Sequence, residues 1–120
     1  MGELKRAVVA FARRASTEIS AHDERLLEAL GRELPAGITV YVGHPPKASI
    51  EDVARVALKV QAMGFVASPH LVARRIPSER ALRDVLARLR EHGIEQALLV
   101  AGDLDRPLGP FTSTLEVIAT

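Results

Sequence analysis

The chain of 120 residues contains no cysteine and no tryptophan. Without thiols there is no disulfide scaffold, thiolate zinc site, iron–sulfur cluster or cysteine nucleophile, and the composition fits a reducing cytoplasm. Aromatic residues are scarce, with three Phe and one Tyr, and charge is nearly balanced, with 16 Lys plus Arg against 15 Asp plus Glu. A nucleic-acid binder relies on a concentrated basic face or on stacking platforms, and neither is present. No uncharged apolar run approaches the roughly 20 residues needed to cross a bilayer, so no membrane segment is expected. The glycine-rich dinucleotide fingerprint is missing after every strand-like segment, which weighs against a nucleotide-binding open sheet. What the chain does have is apolar material: at 48% hydrophobic residues it can build one core, and residues 1–120 read as a single domain.

The amino end, Met1 to Ser16, is amphipathic and carries Arg6, Arg13 and Arg14. Organelle transit peptides share that composition, but Glu3 is acidic and the stripe Leu4, Ala7, Val8, Phe11, Ala12 has the spacing of a helix facing a core, so a surface helix is expected. Gly2 lacks the Ser or Thr four residues on that myristoylation requires, since Arg6 holds that position.

Further along, one pattern returns three times: a glycine, a short apolar run, a polar break, then an amphipathic helix. Gly37 opens Ile38 to Val42, Gly64 opens Phe65 to Ala67, and Gly93 opens Ile94 to Val100, at separations of 27 and 29 residues. That period holds one strand, one loop and one helix, and each glycine stands where a helix should stop in the left-handed conformation. An earlier strand is expected over Ala15 to Ser20. Ser49 with Asp52 resembles a capping box, Ser78 caps the following helix, and Asp23 is expected to cap the helix that carries Leu26, Leu27 and Leu30.

Four strands alternating with helices imply an α/β fold with a parallel sheet and right-handed crossovers. Either an open doubly wound sheet or half of a TIM (β/α)8 barrel fits. A full barrel takes roughly 250 residues, about twice this length. Leu115 and Ile118 mark a further helix at the end of the chain, so the sequence reads as part of a barrel, or as a half-barrel whose open edges are covered by another copy in a homo-oligomer.

Chemistry in parallel α/β sheets gathers at the carboxyl ends of the strands. The residues expected there are Glu18 after the first strand, His44 to Lys47 after the second, Ser68-Pro69-His70 after the third, and Gly102-Asp103 after the fourth. Each has a plainer reading. Asp103 can cap a turn, His70 can be a satisfied buried imidazole, and His44 reads as part of a solvated loop. Glu18 is harder to set aside, because a barrel-facing carboxylate is costly unless paired or protonated. Arg74 and Arg75 belong with a solvated helix face, with contact to an anionic cofactor as the alternative. His44, His70 and Asp103 would be the ligands of a metal-dependent hydrolase, but no close-spaced pair supports that, and no metal is expected.

At these positions the chain resembles the methylenetetrahydrofolate reductase family, flavoenzymes built on a (β/α)8 barrel. The likeness runs from about Ala15 to Thr120 and is best at Ala67-Ser68-Pro69-His70-Leu71, His92-Gly93-Ile94 and Leu99-Val100-Ala101-Gly102-Asp103. The resemblance implies reduction of 5,10-methylenetetrahydrofolate to 5-methyltetrahydrofolate with FAD and NAD(P)H as cofactors. It implies that Glu18 is the general acid and that Asp103 lies by the flavin's pyrimidine edge and the folate pterin. It gives Pro69 and His70 a part in flavin binding, and Gly102 and Arg74 are the further candidates for cofactor contact, Arg74 because it closely follows the third strand. A buried glutamate of raised pKa can deliver a proton at neutral pH while the flavin carries hydride. The chain departs from the family pattern at three places. Ile19 to Asp23 replace an aromatic- and proline-rich segment, Ala101 replaces an arginine, and Tyr41-Val42-Gly43 stands where the family has threonine, tyrosine and glycine.

Overall fold

The computed structural model describes residues 2–120. Four strands, β1 (Thr17–Ser20), β2 (Thr39–Gly43), β3 (Val66–Val72) and β4 (Leu98–Val100), form one parallel sheet in the order β1-β2-β3-β4. Between them run α2 (Leu27–Glu33), α3 (Ile50–Ala62) and α4 (Glu79–Glu91); α1 (Glu3–Ala12) precedes β1 and α5 (Thr114–Ala119) closes the chain. This order decides between the two architectures. Every crossover steps the chain one strand in the same direction, so right-handed connections put all three helices on one face. A doubly wound sheet reverses direction and covers both faces. The arrangement is that of half a (β/α)8 barrel.

Strand alternation sorts the side chains accordingly. Ile19, Val40, Val42, Ala67 and Leu71 point to the helices and bury against Val53, Ala57 and Val60 of α3 and Leu82, Val85 and Leu89 of α4. The opposite face carries Glu18, Tyr41 and Ser68 in one register row. It is partly open: Val66 and Leu98, on that face, are exposed, while Ser68 and Val72 are buried.

The helix starts follow the local chemistry. In α3 the Ser49 hydroxyl accepts from the Asp52 N–H at 3.1 Å, and the Asp52 carboxylate accepts from the Ser49 N–H at 2.9 Å, a complete capping box. Ser78 caps α4 by accepting from the Ala81 N–H. Removing the first cap with Ser49→Ala should cost about 1 kcal/mol in urea unfolding. The three repeat glycines, Gly37, Gly64 and Gly93, all have positive φ, as helix-ending glycines should.

Several expectations are corrected. The stripe of α1 does not face the core: none of its residues is buried, and Leu4 and Phe11 are 79% and 80% exposed. Helical spacing shows only that one face is apolar, not what covers it. The same holds in α5, where Leu115 and Ile118 face out and Val117 is buried instead. Asp23 makes no side-chain cap; its carboxylate turns back to the Ser20 N–H at 3.4 Å, and a 3-10 turn precedes α2. Strand β4 starts only at Leu98, with Ile94 buried but outside the ladder. Strand β3 runs through Ser68-Pro69-His70, which the sequence reads as a loop. Pro69 pairs with Val42 and stands one residue before the β3–β4 ladder begins, so it interrupts little of the backbone pairing. Among the described residues no helix is long and apolar enough to cross a membrane.

Candidate functional site

At the carboxyl end of the sheet, the first three strands enclose a cleft of about 490 Å3 lined by Glu18, Ser20, Asp23, Gly43, His44 and His70. Glu18 stands on the inner face of β1, and His70 stands on the inner face of β3 two strands away. Their side chains nonetheless meet, with Glu18 Oε1 3.2 Å from His70 Nε2. The Tyr41 ring flanks the imidazole at a centroid separation of 6.0 Å and a tilt of 57°. Glu18 is therefore not the buried acid expected from its strand position: its side chain is 57% exposed, that of His70 18%. The side chain stands over the sheet at the cleft mouth, beside the imidazole, instead of being enclosed in the core.

His44 is also corrected. It does not wave in a solvated loop; Nε2 lies 2.7 Å from the Ala48 carbonyl, and Nδ1 is buried with no partner among the described residues. Since a carbonyl only accepts, Nε2 carries the proton and Nδ1 presents a lone pair. Burial holds the imidazole below its ordinary value of 6.5, against the opposing effect of the Ala48 bond. The folded state thus binds the proton less well than the unfolded chain. His44 contributes stability that is present above pH 6.5 and is lost as pH falls below it. Melting temperatures between pH 8 and pH 5 should fall more for the native chain than for His44→Gln, whose amide N–H can still reach Ala48.

Asp103 is not brought to this cluster. It follows β4, at the same end of the sheet as Glu18 but across it, on the order of 14 Å away at three interstrand spacings. Its side chain is 91% exposed and reaches only Arg75 Nη2 at 3.5 Å. The neighbouring Arg74 is committed to the backbone: it donates to the Leu104 carbonyl at 2.7 Å and the Thr112 carbonyl at 3.2 Å, clamping the segment after β4 onto β3. Gly102 has φ of +94°, and a Cβ there would lie 2.6 Å from Val72 Cγ1, so its bareness serves this same close approach. Pro69 is fully buried on the helix side of β3, beneath the site rather than in it. His44, His70 and Asp103 do not assemble as metal ligands, and among the described residues no group of three or more His, Asp or Glu does so.

A larger hollow of about 600 Å3 lies between the last turns of α4 and residues 93–97, beside Leu86, Leu89 and Ile94. It sits at the amino end of β4 and holds no imidazole or hydroxyl, whereas the smaller cleft gathers two imidazoles and two carboxylates. The pairing of Glu18 with His70 leaves no local signature, because it depends on the register of three strands. The one trace in the sequence is Gly43, the bare position between them. No protein-family model matches the chain.

Proposed function

We infer that the chain is a divergent flavin-dependent reductase domain of the methylenetetrahydrofolate reductase type, acting on 5,10-methylenetetrahydrofolate with FAD and NAD(P)H. The observation that carries this reading is the carboxylate of Glu18 at the strand ends, solvent-accessible and held 3.2 Å from an imidazole. A carboxyl group so held can give a proton to a substrate nitrogen and be kept oriented while doing so. The residues present also suit a ligand with many polar edges. Glu18, Ser20, Asp23, His44 and His70 give the cleft a polar lining.

FAD, when bound, supplies hydride transfer between the nicotinamide and the folate. Glu18 would hold the proton for the substrate side, and His70, 3.2 Å away, would fix its side chain and help hold the flavin. Asp103, standing apart on the β4 side, would be available to the far edge of a bound ligand. Residues His70, Gly102 and Asp103 thus bound a rim long enough for an extended cofactor, while Arg74 contributes by holding the segment that bears Asp103. The lack of cysteine supports a cytoplasmic setting. Purified protein should take up FAD, turn yellow and bleach on addition of NADH or NADPH; a colourless protein that does neither ends this reading.

A second reading is a non-catalytic half that binds flavin or pterin, favoured by the separation of Asp103 from Glu18 and by Ala101 in place of an arginine. Flavin uptake without turnover would select it. In either case the edges β1 and β4 and the open inner face with Val66 and Leu98 call for a cover, which this reading assigns to a second copy. Sedimentation should then report a dimer or larger species.

A further inference from the structure

Glu18 and His70 lie on β1 and β3, and β2 runs between them. Adjacent strands are about 4.8 Å apart, so the two side chains can meet only by crossing β2 along its inner face. The register shows what they cross. Ser20 pairs with Gly43, and the β2–β3 ladder reaches Val42 opposite Pro69, so one step on Gly43 stands beside His70. Gly43 is the only position of β2 on this face without a side chain; Thr39 and Tyr41 fill the other two. A Cβ at position 43 would lie 3.3 Å from Glu18 Oε1 and 3.8 Å from its carboxyl carbon, so the carboxylate rests directly over the bare backbone. The glycine is not there for conformational freedom, since its φ is not positive.

We propose that Gly43 is a positioning residue for the Glu18 acid: by lacking a side chain it opens the path across β2 through which the carboxylate reaches His70. This rests on the reading of Glu18 as the proton donor. A methyl group at 43 forces the carboxylate to yield by a few tenths of an ångström, whereas a branched side chain fills the path and turns Glu18 away from the imidazole. Tyr41 continues to flank His70 from the same strand, so the imidazole stays in place while its carboxylate partner leaves.

The test compares Gly43→Ala and Gly43→Val with the native chain, and Thr39→Val serves as a control four residues back on the same face. Valine suits a strand, so the fold should survive. The first readout is the 15N spectrum of the His70 ring, which needs neither cofactor nor turnover. In the native chain Glu18 Oε1 lies 3.2 Å from Nε2, so the ring nitrogens report directly on the carboxylate beside them. Gly43→Val should shift the ring nitrogens as strongly as Glu18→Ala does, Gly43→Ala should shift them part of the way, and Thr39→Val should leave them unchanged. The second readout is the folate-dependent reoxidation of reduced flavin, expected to fall on the order of 100-fold in Gly43→Val with NADH-dependent flavin reduction kept, as a displacement of about 1 Å commonly produces. Unchanged His70 resonances in both variants would overturn the role of Gly43 whatever the activity. If Gly43→Val does not fold, the partial shift in Gly43→Ala decides alone. A native chain with the expected His70 spectrum but no reductase activity would instead overturn the functional reading and leave the Gly43 contact standing.

Discussion

Glu18→Gln is expected to lower the folate half-reaction on the order of 100- to 10,000-fold while leaving flavin reduction by NAD(P)H within about twofold. Glutamine keeps the length of the side chain and can still bond His70, so the geometry at 3.2 Å is preserved and only the transferable proton is lost. Anaerobic single-turnover measurements separate the two halves: nicotinamide bleaches the flavin in the first, and the folate restores its colour in the second. Equal loss in both halves would mean that Glu18 supports flavin binding or the fold and is not the acid. The large range reflects what one general acid contributes when the substrate nitrogen it protonates is a poor leaving group.

The second large effect concerns the segment that carries Asp103. Gly109→Ala should destabilise the chain by about 3 kcal/mol, at the upper end for an overpacked site. A Cβ at position 109 would overlap the carbonyl oxygens of Ile76 and Pro77, the latter at 2.5 Å. These are backbone atoms, so no side-chain rotation relieves the clash, and the segment after β4 must lift from the end of β3. That segment is held by the Leu108 N–H to Arg74 carbonyl bond at 2.8 Å, by the Arg74 guanidinium and by the buried ring of Phe111. Urea unfolding checks the loss. Gly2→Ala, where a Cβ would meet nothing, is the control and should change stability little.

The repeat of glycine, apolar run and amphipathic helix was enough to infer four parallel βα units. Its period of 27 and 29 residues and the caps at Ser49 and Ser78 are local properties that the chain folds into directly. Strand ends were less legible. Ser68-Pro69-His70 has the composition of a turn, yet β3 continues through it because its neighbours are strands on both sides and Pro69 meets the β2 ladder where it can be tolerated. The apolar stripes of α1 and α5 were legible as stripes, but helical periodicity says nothing about which surface meets them. In the site, Glu18 and His70 were each identifiable from their place at strand ends. Their contact was not, because it follows from a three-strand register and from a missing side chain at Gly43. His44 is illegible for a related reason: a loop histidine reads as solvated from sequence, whereas its Nε2 bonds the Ala48 carbonyl and its Nδ1 is buried.

The most direct test is a double-mutant cycle between Glu18 and His70, with Glu18→Gln, His70→Asn and the double variant measured in single-turnover folate reduction at saturating FAD. If the carboxylate and the imidazole act as one unit, the double variant should be no slower than Glu18→Gln by more than about threefold. Independent losses that multiply in the double variant would show two groups working separately, and the 3.2 Å pairing would then have no part in the chemistry.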